Sequence, residues 1–322
     1  MPYNFNFKFI KNEFYPNRRN GSATWVSPDN KYLYLFGGSE NSNVYDDFLK
    51  YDINKNKWEI IENDLEEAKP ESRFGSIHFV YKDIFYLLSG FGIDNKTLQD
   101  FWTYNLNTNQ WTKYNDIESN LVLGTYASYW LVNNKLYTIG GLSINNSELE
   151  INDKLMIYNL DNFELEIINS SLIKSRFNAN FWTVKNQDIN YLYLLNGMNL
   201  DKDNEFVQID DMWRFNTKDL TWENIDTIPD NFRPKNSCLK FQLNNKVYLL
   251  GGVNQNNEIY DQIWRFNPKN NNFKLIKNCN EPKARADSAI WHVNNKIFIY
   301  GGLGQKYHLN DFWTLEIKKN LF

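Results

Sequence analysis

Short apolar runs closed by two small residues recur six times along the chain. They are Tyr34-Leu35-Phe36-Gly37-Gly38, Tyr86-Leu87-Leu88-Ser89-Gly90, Tyr137-Thr138-Ile139-Gly140-Gly141, Tyr193-Leu194-Leu195-Asn196-Gly197, Tyr248-Leu249-Leu250-Gly251-Gly252 and Phe298-Ile299-Tyr300-Gly301-Gly302. The second small residue falls at 38, 90, 141, 197, 252 and 302, a period of 50 to 56 residues. Self-similarity at such a period marks a repeat architecture. Each run is apolar on both faces, as a strand sandwiched between layers is.

Around each run the pattern predicts three more strands. A first strand follows an arginine, as in Arg19-Asn20-Gly21-Ser22-Ala23-Thr24-Trp25 and Arg73-Phe74-Gly75-Ser76-Ile77-His78-Phe79. A third begins near an aspartate and carries aromatics, as in Asp100-Phe101-Trp102-Thr103-Tyr104. A fourth starts with an aromatic seven residues later, at Trp58, Trp111, Trp222 and Phe273, after polar turns such as Asn54-Lys55-Asn56-Lys57. The third repeat is expected to shorten that turn, with Phe163 five residues after Tyr158.

A diglycine after an apolar strand, then Asp-x-Trp-x-Tyr, then a tryptophan, at about fifty residues and in six copies, resembles the kelch repeat. The departures are Ser89 and Asn196 for the first glycine, and Phe163 and Phe273 for the tryptophan. The resemblance implies an all-β, six-bladed propeller of four-stranded antiparallel blades. A single such domain is expected over residues 1–322, with blades at 17–64, 71–117, 122–169, 174–226, 233–278 and 283–317 plus 5–12.

The sixth repeat lacks an outer strand, and the N-terminus supplies one. Asn6-Phe7-Lys8-Phe9-Ile10-Lys11-Asn12 matches the outer strand of repeat five, Asn272 to Asn278, at six of seven positions. The first strand is therefore expected to complete the last blade, which removes the open edges of an unclosed array. A rival reading starts a C-terminal outer strand at Phe322, but leaves no residues to finish it.

Topology puts the start of strand one, the end of strand two and the start of strand three on one rim. Arg19, Arg73, Arg176 and Arg285 lead the first strands there; repeat five has Lys235 in register, with Arg233 two residues earlier, and repeat three has Gly124. One reading is a basic channel mouth that grips carboxylates, since a guanidinium fork suits bidentate contact. The kelch resemblance implies the same, because arginines at this position contact acidic peptides in kelch-type adaptors. The other reading pairs each arginine with Asp47, Asp100, Asp211 or Asp311 on the same rim; five donors allow both. The loops after the small pairs vary most, and Tyr45, Phe206, Tyr260 and Tyr307 are their candidate contact aromatics.

Composition narrows the function classes. Thirty-five basic residues against thirty-nine acidic give a net charge of −4, with no basic footprint for nucleic acid or anionic membrane. No run approaches ~18 apolar residues. The N-terminus lacks a signal-peptide pattern, and Cys238 and Cys279 make no disulfide framework, so the expected address is the cytoplasm or the nucleus. Three histidines, His78, His292 and His308, show no metal-ligand spacing. No nucleophile elbow or phosphate loop is present. The expectation is a monomeric protein-binding adaptor or scaffold without cofactor or metal. The alternatives are an enzyme for a small anionic substrate at the same mouth, or an actin-associated protein.

Overall fold

The computed structural model describes residues 3–62, 68–114, 123–145, 148–170, 172–278 and 282–319. Cys279 and Phe322 lie outside the described residues. Six four-stranded antiparallel sheets follow one another around a ring, so the protein is an all-β, six-bladed propeller. From the axis outwards, blade 1 is Ala23–Val26, Tyr32–Phe36, Phe48–Asp52 and Lys57–Ile60. Blade 2 is Ile77–Tyr81, Ile84–Leu88, Phe101–Asn105 and Gln110–Tyr114; blade 3 is Ser128–Val132, Lys135–Ile139, Lys154–Asn159 and Leu165–Asn169. Blade 4 is Asn180–Asn186, Ile189–Leu195, Met212–Asn216 and Thr221–Asn224; blade 5 is Leu239–Leu243, Lys246–Leu250, Gln262–Asn267 and Asn272–Asn278. Blade 6 is Ala289–Val293, Lys296–Leu303 and His308–Lys319, with Tyr3–Phe9 as its outer strand.

The closure is a pairing of the chain ends. Tyr3–Phe9 runs antiparallel to His308–Lys319, from Tyr3↔Lys319 to Phe9↔Trp313. Phe7 lies opposite Leu315 as Trp58 lies opposite Tyr51, which is the register the repeat pattern requires. Phe5 is buried and its ring meets Tyr248 of blade 5 edge-on at 5.4 Å, so the strand also seals the contact between blades 5 and 6.

Burial occurs between blades. Six apolar clusters each interleave residues of two neighbours, such as Leu33, Leu49 and Trp58 of blade 1 with Trp291, Tyr300 and Phe312 of blade 6. Aromatic rings in stacked or edge contact recur across these seams, as Trp25 with Phe85 and Tyr51 with Phe312 do. Indole N–H groups add directional bonds across three of the seams: Trp25 donates to the Phe79 carbonyl at 3.1 Å, Trp130 to Trp182 at 3.1 Å and Trp291 to Tyr34 at 3.0 Å.

One sequence expectation is corrected in blade 3. Tyr158 pairs with Leu165, seven residues on, as Tyr51 pairs with Trp58 and Tyr104 with Trp111. The turn is not shortened. Phe163 is a half-exposed turn residue with φ of 61°, donating its N–H to the Asn159 carbonyl; Leu165 takes the tryptophan's place. Hydrogen-bond register, not aromatic character, sets that position.

The small pairs are straps between blades. The second glycine donates its N–H to the carbonyl of the next blade's arginine: Gly38 to Arg73, Gly141 to Arg176, Gly252 to Arg285 and Gly302 to Arg19, at 2.8–2.9 Å. The first glycine faces that same carbonyl, and a Cβ on Gly140 would overlap the Arg176 oxygen. The two departures, Ser89 and Asn196, precede the two blades whose first strand is not led by arginine, at Gly124 and Lys235. Ser89 instead donates its hydroxyl to the Leu123 carbonyl at 2.8 Å.

Candidate partner-binding face

Each first strand is preceded by a residue in the left-handed region: Gly21, Gly75, Tyr126 (φ 52°), Asn178 (56°), Ser237 (53°) and Asp287 (52°). This kink turns the backbone N–H tangentially around the axis. Gly21 donates to the Asp287 carbonyl, Gly75 to Gly21, Tyr126 to Gly75, Asn178 to Tyr126 and Asp287 to Ser237, at 2.8–3.1 Å. The Ser237 hydroxyl completes the circle on Asn178 Oδ1 at 2.6 Å. A ring of six residues thus frames one mouth of the central channel.

The four in-register arginines do not line that mouth. Arg19, Arg73, Arg176 and Arg285 are each 1% exposed or less. Arg73 binds Asp100 through both terminal nitrogens (2.5 and 2.7 Å), the Ser89 carbonyl at 3.0 Å and the Glu71 carbonyl at 2.9 Å. Arg19 makes the same set with Asp47, Gly37 and Asn17, Arg176 with Asp211, Asn196 and Lys174, and Arg285 with Asp311, Gly301 and Lys283. Four of the five guanidinium donors are occupied in every case. Of the two readings the sequence left open, the geometry is that of the aspartate pairing: the four arginines form internal clamps rather than an open basic ring. The Asp-x-Trp motif belongs to them, since Trp102, Trp213 and Trp313 donate their indole N–H to Asp100, Asp211 and Asp311. Burial works against the Asp100 and Asp311 charges, but their arginines outweigh it and hold both carboxyls below the usual range.

The remaining expected residues do lie on the loop face. Arg233 is exposed. Tyr45 is half-buried beneath the Arg19 guanidinium at 4.3 Å, with its hydroxyl on Glu40 at 3.2 Å. Tyr260 is half-buried and bonds Glu258 at 2.8 Å and Asn254 at 2.9 Å; burial, then Glu258, pushes its hydroxyl up to about 12. Tyr307 is half-exposed under Arg18, and Phe206 is 50% exposed with its ring 5.4 Å from Phe177.

Several post-diglycine segments fold back as hairpins rather than open loops: Ser39–Glu40 with Asn43–Val44, Leu142–Asn145 with Glu148–Ile151, and Met198–Leu200 with Phe206–Gln208. The last two join blade 2 in an apolar floor missing from the sequence reading. Phe91, Leu142 and Phe177 are its buried base, and half-buried Phe74, Ile144, Leu149, Ile151 and Met198 pack on it. Strict alternation in Glu148-Leu149-Glu150-Ile151 was the available signal, since it sends two apolar side chains to one face.

Inside the ring lies a cavity of about 240 Å³ walled by all six first strands. The position five residues beyond each arginine, and beyond Gly124 and Lys235 in the two blades without one, faces it: Thr24, His78, Tyr129, Phe181, Lys240 and Ile290. Lys240 places its ammonium 3.9 Å above the Phe181 ring, and burial brings it down to about 8. Burial likewise raises Asp287 to about 6, although Tyr126 and Asn20 each donate to its Oδ2 at 2.8 Å. His78 is driven down to about 4 by burial, with Nδ1 by the Ser76 carbonyl and Nε2 3.3 Å from Thr24. The channel hydroxyls of Ser22, Ser76 and Ser288 donate to the carbonyls of Gly37, Ser89 and Gly301. Cys238, buried beside them, has its thiol raised to about 12 by burial. His292 lies exposed in Ala289–Val293, and His308 begins the strand His308–Lys319. Among the described residues no three His, Cys, Asp or Glu side chains converge as metal ligands, and no helix is long and apolar enough to cross a membrane.

Residues 30–238 and 186–322 match the family model of the KLHDC2/KLHL20/DRC7 Kelch-repeats domain. A search of curated proteins returns no match.

Proposed function

The chain belongs to the kelch-repeat family defined by the KLHDC2/KLHL20/DRC7 Kelch-repeats domain, and from that premise we propose that it is a protein-interaction module that captures a partner on its loop face. The observation that carries the reading is the apolar floor over blades 2 to 4, with Phe206 half-exposed at its edge. Aromatic and aliphatic side chains on a rigid frame lose little entropy on binding, which makes them anchors. Expectation of an acidic partner rested on Arg19, Arg73, Arg176 and Arg285 together with Arg233; with four of the five donors of each of the first four occupied, the loop face supplies the larger part of recognition. The protein acts as a monomeric propeller in the cytoplasm or nucleus, in keeping with the free, buried thiol of Cys238.

The test compares three immobilised chains against extract from the native cells: wild type, Phe206→Asp, and His292→Asp as a control on the exposed strand residue. Binding partners lost with Phe206→Asp alone, at unchanged melting temperature, support the reading. Partners retained by Phe206→Asp refute it.

A second reading, a small anionic ligand or substrate in the channel, is favoured by Lys240. Its ammonium faces the cavity with no ion-pair partner within 4 Å among the described residues. Acetate or phosphate that raises the melting temperature of wild type, but not of Lys240→Met, supports it.

A further inference from the structure

We infer that the partner segment seated on the loop face is an apolar or aromatic anchor flanked by lysine or arginine. The inference rests on the protein-interaction reading above and adds the chemistry of the partner.

The floor and its walls carry opposite character. Leu149 and Ile151 turn down onto Phe91, Leu142 and Phe177, while Glu148 and Glu150 of the same strand stand exposed. The hairpin is tied to blade 2, because Thr97 Oγ1 accepts the Ile144 N–H at 2.8 Å. On blade 4, Met198 joins the floor and Phe206 borders it, and the tip of that hairpin exposes Asp201, Asp203 and Glu205. The Asp201 carboxylate fixes the tip by accepting the N–H groups of Asp203 and Glu205 at 2.8 and 2.9 Å.

The two hairpins beside the floor carry more acidic than basic residues. Residues 142–154 and 198–210 contain seven acidic residues and two lysines. The matching segments of blades 1 and 5, residues 39–46 and 253–261, contain two acidic residues each and no lysine, and that of blade 6, residues 303–310, contains one lysine and no acidic residue. Asp210 pairs with Lys235 at 2.7 Å, and Asp203 with its neighbour Lys202 at 4.0 Å. A low-dielectric floor between two acidic walls strengthens the field felt by a bound cation and penalises a bound carboxylate. Opposite potentials select the partner and speed its encounter, while buried apolar contact holds it. An acidic segment would meet like charge on two sides.

A displayed library of random twelve-residue peptides, panned on the full chain, tests this directly. Recovered peptides are measured by fluorescence polarisation against wild type, Phe206→Asp, and the fourfold variant Glu148→Lys, Glu150→Lys, Asp203→Lys, Glu205→Lys. Expected are anchors of Leu, Phe or Trp with flanking Lys or Arg, at least tenfold weaker on Phe206→Asp and on the fourfold variant. Affinity should also fall as NaCl rises from 50 to 300 mM. Peptides that need Phe206 but show neutral or acidic flanks overturn the basic-partner inference and leave the docking face standing. Peptides indifferent to Phe206 overturn the docking face itself. Failure to recover any peptide counts against the inference, because a short linear anchor is what it requires. Should Phe206→Asp fail to fold, Val207→Asp, at an exposed neighbouring position, replaces it.

Discussion

Tyr126 reaches across the channel mouth from blade 3 and donates its hydroxyl to Oδ2 of Asp287 in blade 6, at 2.8 Å. These are opposite blades of the ring, so one side chain bars the opening, and Asn20 of blade 1 bonds the same oxygen. The ring of left-handed residues is therefore bound around its circumference and also across its diameter.

Asp287 gives the protein a pH-dependent term of unusual sign. Its folded pKa, about 6, lies above the ordinary carboxyl value of 3.8, because burial disfavours the charge more than Tyr126, Asn20 and Lys240 support it. The folded state therefore takes up this proton first, and the penalty fades as pH falls from about 6 towards 4. His78 opposes it over nearly the same window: its folded pKa, about 4, lies below 6.5, so stability is lost as pH falls. Melting temperature of Asp287→Asn should fall more steeply than wild type between pH 7 and 5, and that of a His78→Gln chain less steeply. Parallel profiles for all three would remove Asp287 from this role.

Arg73 should matter to folding before it matters to any partner. Arg73→Met leaves Asp100 without its bidentate counter-charge and frees the Ser89 and Glu71 carbonyls. Breaking a buried pair on one side costs about 3–5 kcal/mol, measurable as a lower urea midpoint. The Asp100 contribution is present above the unfolded carboxyl pKa and is lost as pH drops through its lower folded value. A chain of unchanged stability would instead mean that the guanidinium is dispensable to the blade.

Closure through the N-terminal strand predicts two graded effects. Phe5→Ala removes a ring packed on Tyr248 in the seam between blades 5 and 6, and should cost about 3 kcal/mol. Deleting residues 1–10 uncovers the edge of His308–Lys319, and an unpaired edge templates association. Sedimentation should then detect oligomers that the Phe5→Ala chain does not form.

The small pairs separate into two kinds. Gly140→Ala drives a Cβ into the Arg176 carbonyl at φ of 77° and should cost about 3 kcal/mol or more. Ser89→Gly loses only the hydroxyl bond to Leu123, worth about 1 kcal/mol. Equal losses in chemical denaturation would contradict the strap mechanism.

Repeat number, blade strands and ring closure are written in the sequence, because each depends on periodic local signals. A 50- to 56-residue period, alternating burial and a duplicated NFK-IKN strand need no knowledge of distant contacts. Even so, Phe163 misled where aromatic character and hydrogen-bond register disagreed, and register decided. The site was far less legible. Arginine at a rim position reads identically whether it faces solvent or an aspartate, and only packing shows that Arg19, Arg73, Arg176 and Arg285 turn inward. That Ser89 turns its hydroxyl to the Leu123 carbonyl of the following blade could be seen only once neighbouring blades were brought into contact. The same is true of the floor shared by Phe74, Leu149 and Met198, and of Tyr126 meeting Asp287 from 161 residues away. Local pattern fixes which strand a residue joins; its partners across a seam or the axis are set by how all six wedges close together.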